Sequence, residues 1–147
     1  MAKILSSDYS STGRARIDRQ PFSVLVVDDE PMIRRMLAVI LSEWGCEVLS
    51  AEDGEEALAM ARGDTCPEID ILITDLCMPG MGGAALAVEL RAERPNLKTI
   101  FVSGLSKDEI AAMDVDAAHA AFISKPFQLR AIDDAIRSLT ECNAISR

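Results

Sequence analysis

The sequence predicts an α/β fold: a five-stranded parallel sheet covered by helices on both sides. Three observations point there. First, Val24-Leu25-Val26-Val27, Ile71-Leu72-Ile73 and Ile100-Phe101-Val102 are unbroken apolar runs. Runs of that length and β-branched character suit strands buried on both faces. Second, the segments between them carry apolar residues at helical spacing. Third, strand and helix alternate along the chain, five of each, as the crossovers of a parallel sheet require.

The elements follow in order. Residues 1–21 are rich in Ser and Arg with little apolar periodicity, and read as a flexible N-terminal arm. Ser23 to Val27 is the first strand. It ends in Asp28-Asp29-Glu30-Pro31, where Pro31 suits the first turn of a helix and the acids suit the positive end of its dipole. That helix runs to about Trp44, with Ile33, Leu37, Ile40 and Leu41 at core spacing, and Gly45 stops it. Glu47 to Ala51 is a short second strand. Asp53 and Glu56 stand at capping-box spacing before a helix with Ala57, Leu58, Met60 and Ala61.

The third strand is Ile71 to Ile73, with Asp75 at its end and Met78-Pro79-Gly80 turning the chain away. Met81-Gly82-Gly83 leads into a helix with Leu86, Val88 and Leu90. Lys98 to Ser103 is the fourth strand. Ser106 and Glu109 form a second capping box before a short Ala-rich helix. Ala121 to Ser124 is the fifth strand, followed by Lys125-Pro126-Phe127. The last helix runs from about Gln128 to Glu141, with Leu129, Ile132, Ile136 and Leu139 on one face, and residues 142–147 form a short tail.

Bulk properties narrow the function. A length of 147 residues suits one domain,, and an apolar fraction of 49% is enough for one core,. No apolar run is long enough for a membrane span or a signal peptide, so the expected location is cytoplasmic. The net charge of −9 opposes direct nucleic-acid binding,. It is unevenly spread: residues 1–22 carry Lys3, Arg14, Arg16 and Arg19 against Asp8 and Asp18, a net of +2, which leaves −11 for the rest. Cys46, Cys66, Cys77 and Cys142 form no CxxC pair and have a single His, His119, for company. A zinc site is not expected. The cysteines read as small apolar fillers and His119 as an ordinary exposed side chain.

In a doubly wound sheet the carboxyl ends of the parallel strands line one edge, where such folds bind their ligands. There the sequence puts Asp28 and Asp29 from the first strand, Asp75 from the third, Ser103 from the fourth and Lys125 from the fifth. Two carboxylates about 5 Å apart repel by roughly 3 kcal/mol at an effective dielectric of 20. Three together call for a cation, and an open all-oxygen site suits magnesium. Lys125 and Ser103 would then serve a phosphoryl group as point charge and hydrogen-bond donor. The set makes chemical sense if one Asp is the nucleophile in phosphoryl transfer.

These pieces resemble the receiver domain of bacterial response regulators. The matching segments are Val24-Leu25-Val26-Val27-Asp28-Asp29-Glu30, Ile73-Thr74-Asp75-Leu76-Cys77-Met78-Pro79-Gly80, Val102-Ser103-Gly104 and Lys125-Pro126-Phe127, within a domain of residues 22–141. The resemblance implies a flavodoxin-like sheet of order 2-1-3-4-5. It implies that Asp75 accepts a phosphoryl group from a histidine kinase or a histidine phosphotransfer protein. Magnesium would be held by Asp29, Asp75 and the backbone carbonyl of Cys77, with Asp28 acting mainly through water. Lys125 would bind the phosphoryl oxygens, with the Lys125–Pro126 bond cis. Ser103 would move onto the phosphoryl group and Phe122 would follow it inward.

The chain departs from the family pattern in places. Phe122 stands where the family often has Tyr, so the switch lacks a hydroxyl. Cys77 and Leu105 hold positions that tune loss of the phosphoryl group, and an apolar Leu105 cannot orient water, so slow self-hydrolysis is expected. A haloacid-dehalogenase-type phosphatase is disfavoured, because Cys77 stands where that chemistry needs a second Asp. The expectation is therefore a non-enzymatic, stand-alone receiver, since no output domain follows Arg147. It would signal to a downstream protein through the fourth helix, fifth strand and fifth helix, or relay phosphoryl groups. A pseudo-receiver that never takes phosphate, and the receiver portion of a hybrid histidine kinase, are the alternatives.

Overall fold

A computed structural model of the chain describes residues 22–113, 115 and 119–145. The expected arm, residues 1–21, and the side chain of Cys142 lie outside the described residues. The strands are β1 (Ser23–Val27), β2 (Glu47–Ala51), β3 (Ile71–Asp75), β4 (Lys98–Ser103) and β5 (Ala120–Ser124). The helices between and after them are α1 (Pro31–Glu43), α2 (Gly54–Ala61), α3 (Gly83–Glu93), α4 (Lys107–Ala112) and α5 (Leu129–Ile145). The sheet order is β2-β1-β3-β4-β5 with every pair parallel. This is the flavodoxin-like, doubly wound order.

Strand alternation divides the core in two. Leu25, Val27, Leu72 and Phe101 face one side, against Ala57, Leu58 and Ala61 of α2 and Leu86, Ala87 and Leu90 of α3. Val24, Val26, Ile71, Ile73, Ile100 and Val102 face the other, against Leu37 and Leu41 of α1 and Ile132 and Ile136 of α5. Trp44 is buried with that second group. Burial on both faces is what the unbroken apolar strands require. Among the described residues, no helix is long and apolar enough to cross a membrane.

Local signals act mostly as the sequence implies. Ser106 and Glu109 form a full capping box. Asp53 caps α2 by accepting the Glu56 N–H at 2.8 Å, while the Glu56 carboxylate turns to the Glu52 N–H instead. Pro31 opens α1. The acids before it do not cap the helix: Glu30 is the N-cap residue, yet its side chain makes no cap bond.

β3 ends at Asp75, where the sequence places it, and Asp75 pairs with Val102. In α3, Leu86, Ala87 and Leu90 fill the buried stripe, while Val88 is 63% exposed. Two expectations need correction. Cys77 is exposed rather than a core filler, since it follows the strand end. And α5 runs to Ile145 and takes in most of the expected tail, because nothing between Glu141 and Ile145 breaks a helix,.

Candidate functional site

Register brings the candidate residues to one edge. Val27 pairs with Thr74, Asp75 with Val102, and Ser103 with Ser124. Asp28 and Lys125 are the next residues after β1 and β5, and both stay tied to the sheet. The Asp28 N–H donates to the Ala51 carbonyl at 3.3 Å, and the Lys125 N–H to the Ser103 carbonyl at 2.8 Å. The Lys125–Pro126 peptide is cis.

The carboxylates converge. Asp28, Asp29 and Asp75 each offer an oxygen, and these oxygens lie within 4.8 Å of one another. Asp28 and Asp75 are buried, while Asp29 is exposed. Each buried acid is fixed by a backbone amide two residues on. Asp28 Oδ1 accepts the Glu30 N–H and Asp75 Oδ1 the Cys77 N–H, both at 2.9 Å. The Asp28 carbonyl accepts from the Arg34 guanidinium at 2.7 Å.

Lys125 is the counter-charge. Its Nζ lies 2.9 Å from Asp75 Oδ2, 3.1 Å from Glu30 Oε1 and 3.2 Å from Asp28 Oδ2. Burial alone would lower the pKa of this ammonium, but its bonds to Asp75, Glu30 and Asp28 outweigh burial and hold it above the ordinary lysine value,. Asp28 goes the other way. Burial raises its carboxyl pKa, and the Glu30 amide and Lys125 only partly offset that.

Three oxygens from aspartates, open on the Asp29 side, suit a hard divalent cation. Asp28, Asp29 and Asp75 supply carboxylate oxygens, the donor type such an ion takes, and these lie within 4.8 Å of one another,. The backbone carbonyl of Cys77 belongs to the loop that leaves β3 beside Asp75.

Ser103 closes β4 on the same edge. It is buried, and its Oγ accepts the Leu105 N–H at 2.9 Å. Phe122 sits on β5 opposite Phe101, with ring centroids 5.2 Å apart and planes at 26°. Its ring is 39% exposed, so it lies outward. His119 is exposed, with φ at 57°.

Sequence reasoning missed three contributors. Glu30 reads in the sequence as part of a helix start, but its carboxylate reaches Lys125. Gly83 begins α3 directly against β3: a Cβ there would collide with the Asp75 carbonyl oxygen. Thr74, fully buried, donates its hydroxyl to that carbonyl at 3.0 Å. The available signals were Pro31 directly after Glu30 and the paired glycines before α3.

Residues 24–137 match the family described as the response regulator receiver domain. The chain is 32% identical over 124 residues to the probable transcriptional regulatory protein TcrX of Mycobacterium tuberculosis, covering 84% of this chain and 52% of that protein. It is 35% identical over 119 residues to the sensor kinase CckA of Brucella abortus, covering 81% of this chain and 12% of that protein. It thus spans about half or less of these curated relatives. Among solved structures, the response regulator TrrA of Thermotoga maritima, in complex with Mg2+ and beryllium fluoride, superposes with a TM-score of 0.66 at 33% identity. That match covers 80% of this chain and 98% of TrrA.

Proposed function

The chain belongs to the response regulator receiver domain family, and we propose that Asp75 is its phosphoacceptor, modified by a histidine kinase or histidine phosphotransfer protein. The observation that carries this reading is the geometry of Asp75. Its Oδ1 is held by the Cys77 amide and its Oδ2 by Lys125, at 2.9 Å each. A carboxylate fixed at both oxygens is oriented for attack without further loss of freedom.

In the transfer, an Asp75 oxygen attacks phosphorus. The phosphorus–nitrogen bond of the donor phosphohistidine breaks, its electron pair stays on the imidazole nitrogen, and that nitrogen takes up a proton if solvent supplies one. Lys125 neutralises charge on the transferred group. Asp28, Asp29, Asp75 and the Cys77 carbonyl would hold Mg2+, which supplies positive charge to the phosphoryl oxygens when bound.

The output is a two-state element. Ser103 exchanges the Leu105 N–H for the phosphoryl group, and Phe122 leaves its outward position to fill the space behind it. The face made by α4, β5 and α5 then differs between states and binds a downstream protein, or the chain relays the group to another histidine. This role is that of a non-enzymatic, cytoplasmic signalling module without direct nucleic-acid contact. The match to a small part of CckA supports a second reading, the receiver portion of a hybrid kinase. A pseudo-receiver is the reading to fall back on if Asp75 takes no group.

Beryllium fluoride with Mg2+ tests the site without a cognate kinase. The expected result is amide shift changes at Asp75, Ser103, Leu105 and Phe122 that vanish in Asp75→Asn. No change in the wild-type protein contradicts the proposal.

A further inference from the structure

Glu30 lies in the site but has no part in the scheme above. Pro31 follows it, and a residue before proline is driven into extended conformation. Glu30 has φ −91° and ψ 114° and makes no side-chain cap bond to α1. Its carboxylate instead crosses to Lys125 Nζ, 95 residues on in sequence, at 3.1 Å.

An ammonium has three N–H donors. Those of Lys125 face three carboxylates, on Asp75, Glu30 and Asp28. A phosphoryl oxygen can reach Lys125 only if one of them leaves. Asp28 and Asp75 are poor leaving partners: their side chains are 3% and 10% exposed and each is pinned by a backbone amide. The Glu30 side chain is 60% exposed and returns to water at little cost,.

We propose that Glu30 is a positioning residue that fills, in the resting protein, the place on Lys125 that a phosphoryl oxygen takes, and that it is the partner Lys125 gives up on modification of Asp75. The inference rests on the phosphoacceptor reading of the site. Glu30 keeps Lys125 over Asp75 and holds a negative charge at the mouth of the cluster. It therefore opposes the arrival of any anion, and its removal makes phosphoryl-like groups bind more tightly.

The test is a titration of beryllium fluoride into full-length protein saturated with Mg2+, followed by the Phe122 and Leu105 amide resonances. Wild type, Glu30→Gln and Glu68→Gln are compared, the last removing a charge far from the site. The expected result is binding roughly 3- to 10-fold tighter for Glu30→Gln at low ionic strength, with Glu68→Gln unchanged. The gain shrinks as salt rises, because the lost repulsion is screened. A purely structural role for Glu30 predicts no such salt dependence. Equal or weaker binding by Glu30→Gln, with wild type binding normally, overturns the inference alone. If wild type itself binds nothing, the phosphoacceptor reading falls and the role of Glu30 falls with it.

Discussion

Gly83 and the carbonyl oxygen of Asp75 are packed so closely that residue 83 has no room for a Cβ. The Gly83 N–H also bonds the Leu76 carbonyl at 3.1 Å. The first turn of α3 is thereby seated on the strand end that carries the Asp75 carboxylate. Helix propensity alone would make Gly83→Ala stabilising by up to about 1 kcal/mol. The steric conflict reverses the sign, and a loss of about 1–3 kcal/mol is expected from overpacking against backbone. Urea denaturation reads this directly, and a raised midpoint would contradict the packing argument.

Burial raises the folded-state pKa of Asp28, so the folded protein holds this proton more tightly than the unfolded chain. The cost of ionising Asp28 is absent below its ordinary value of 3.8. It appears as pH rises through that value and is complete above the raised folded value. Without metal, Asp28→Asn is therefore more stable than wild type at neutral pH, and the difference disappears in acid. Mg2+ reverses the order at neutral pH. At ten times its dissociation constant it stabilises wild type by about 1.4 kcal/mol, and the variant by less. Melting curves with and without Mg2+ at two pH values check both signs.

Lys125 is the cation shared by three carboxylates, so removing it leaves their repulsion uncompensated. Lys125→Met should cost about 1–2 kcal/mol in metal-free protein, less than a fully buried pair would lose because Lys125 is partly exposed. Because its folded pKa is raised, the contribution of Lys125 is complete below 10.5 and is lost as pH rises through the folded value,. The variant should also bind beryllium fluoride far more weakly than wild type. Unchanged binding would remove Lys125 from the mechanism.

Leu105 gives its N–H to Ser103 Oγ and has no polar side-chain atom to hold a water molecule. The phosphorylated protein should therefore lose its group slowly, with a half-life of minutes or longer, and Leu105→Glu should shorten it severalfold. A wild-type half-life of seconds would show that water is oriented by some other group.

The framework was legible because it depends on one-dimensional patterns. β1, β3 and β4 are buried on both faces, and each carries an unbroken apolar run of at least three residues. Parallel order then put Asp28, Asp29, Asp75, Ser103 and Lys125 on one edge without further information. What escaped depends on directions in space. Glu30 looked like a helix-start acid, and only the extended backbone before Pro31 aims it at Lys125. Val88 stands between Leu86 and Leu90 in sequence, but its direction on α3 takes it out of the narrow buried stripe. Gly83 looked like a loop residue, whereas its role is the close approach of two backbones.

Every role proposed for the site depends on Mg2+-dependent transfer of a phosphoryl group to Asp75. The most direct measurement is intact-protein mass spectrometry after incubation with acetyl phosphate, with and without Mg2+, on wild type and Asp75→Asn. Wild type with Mg2+ should gain one phosphoryl group, and none should be gained with chelator or in the variant. Wild-type protein that stays unmodified with Mg2+ present, or a variant modified equally well, would contradict it.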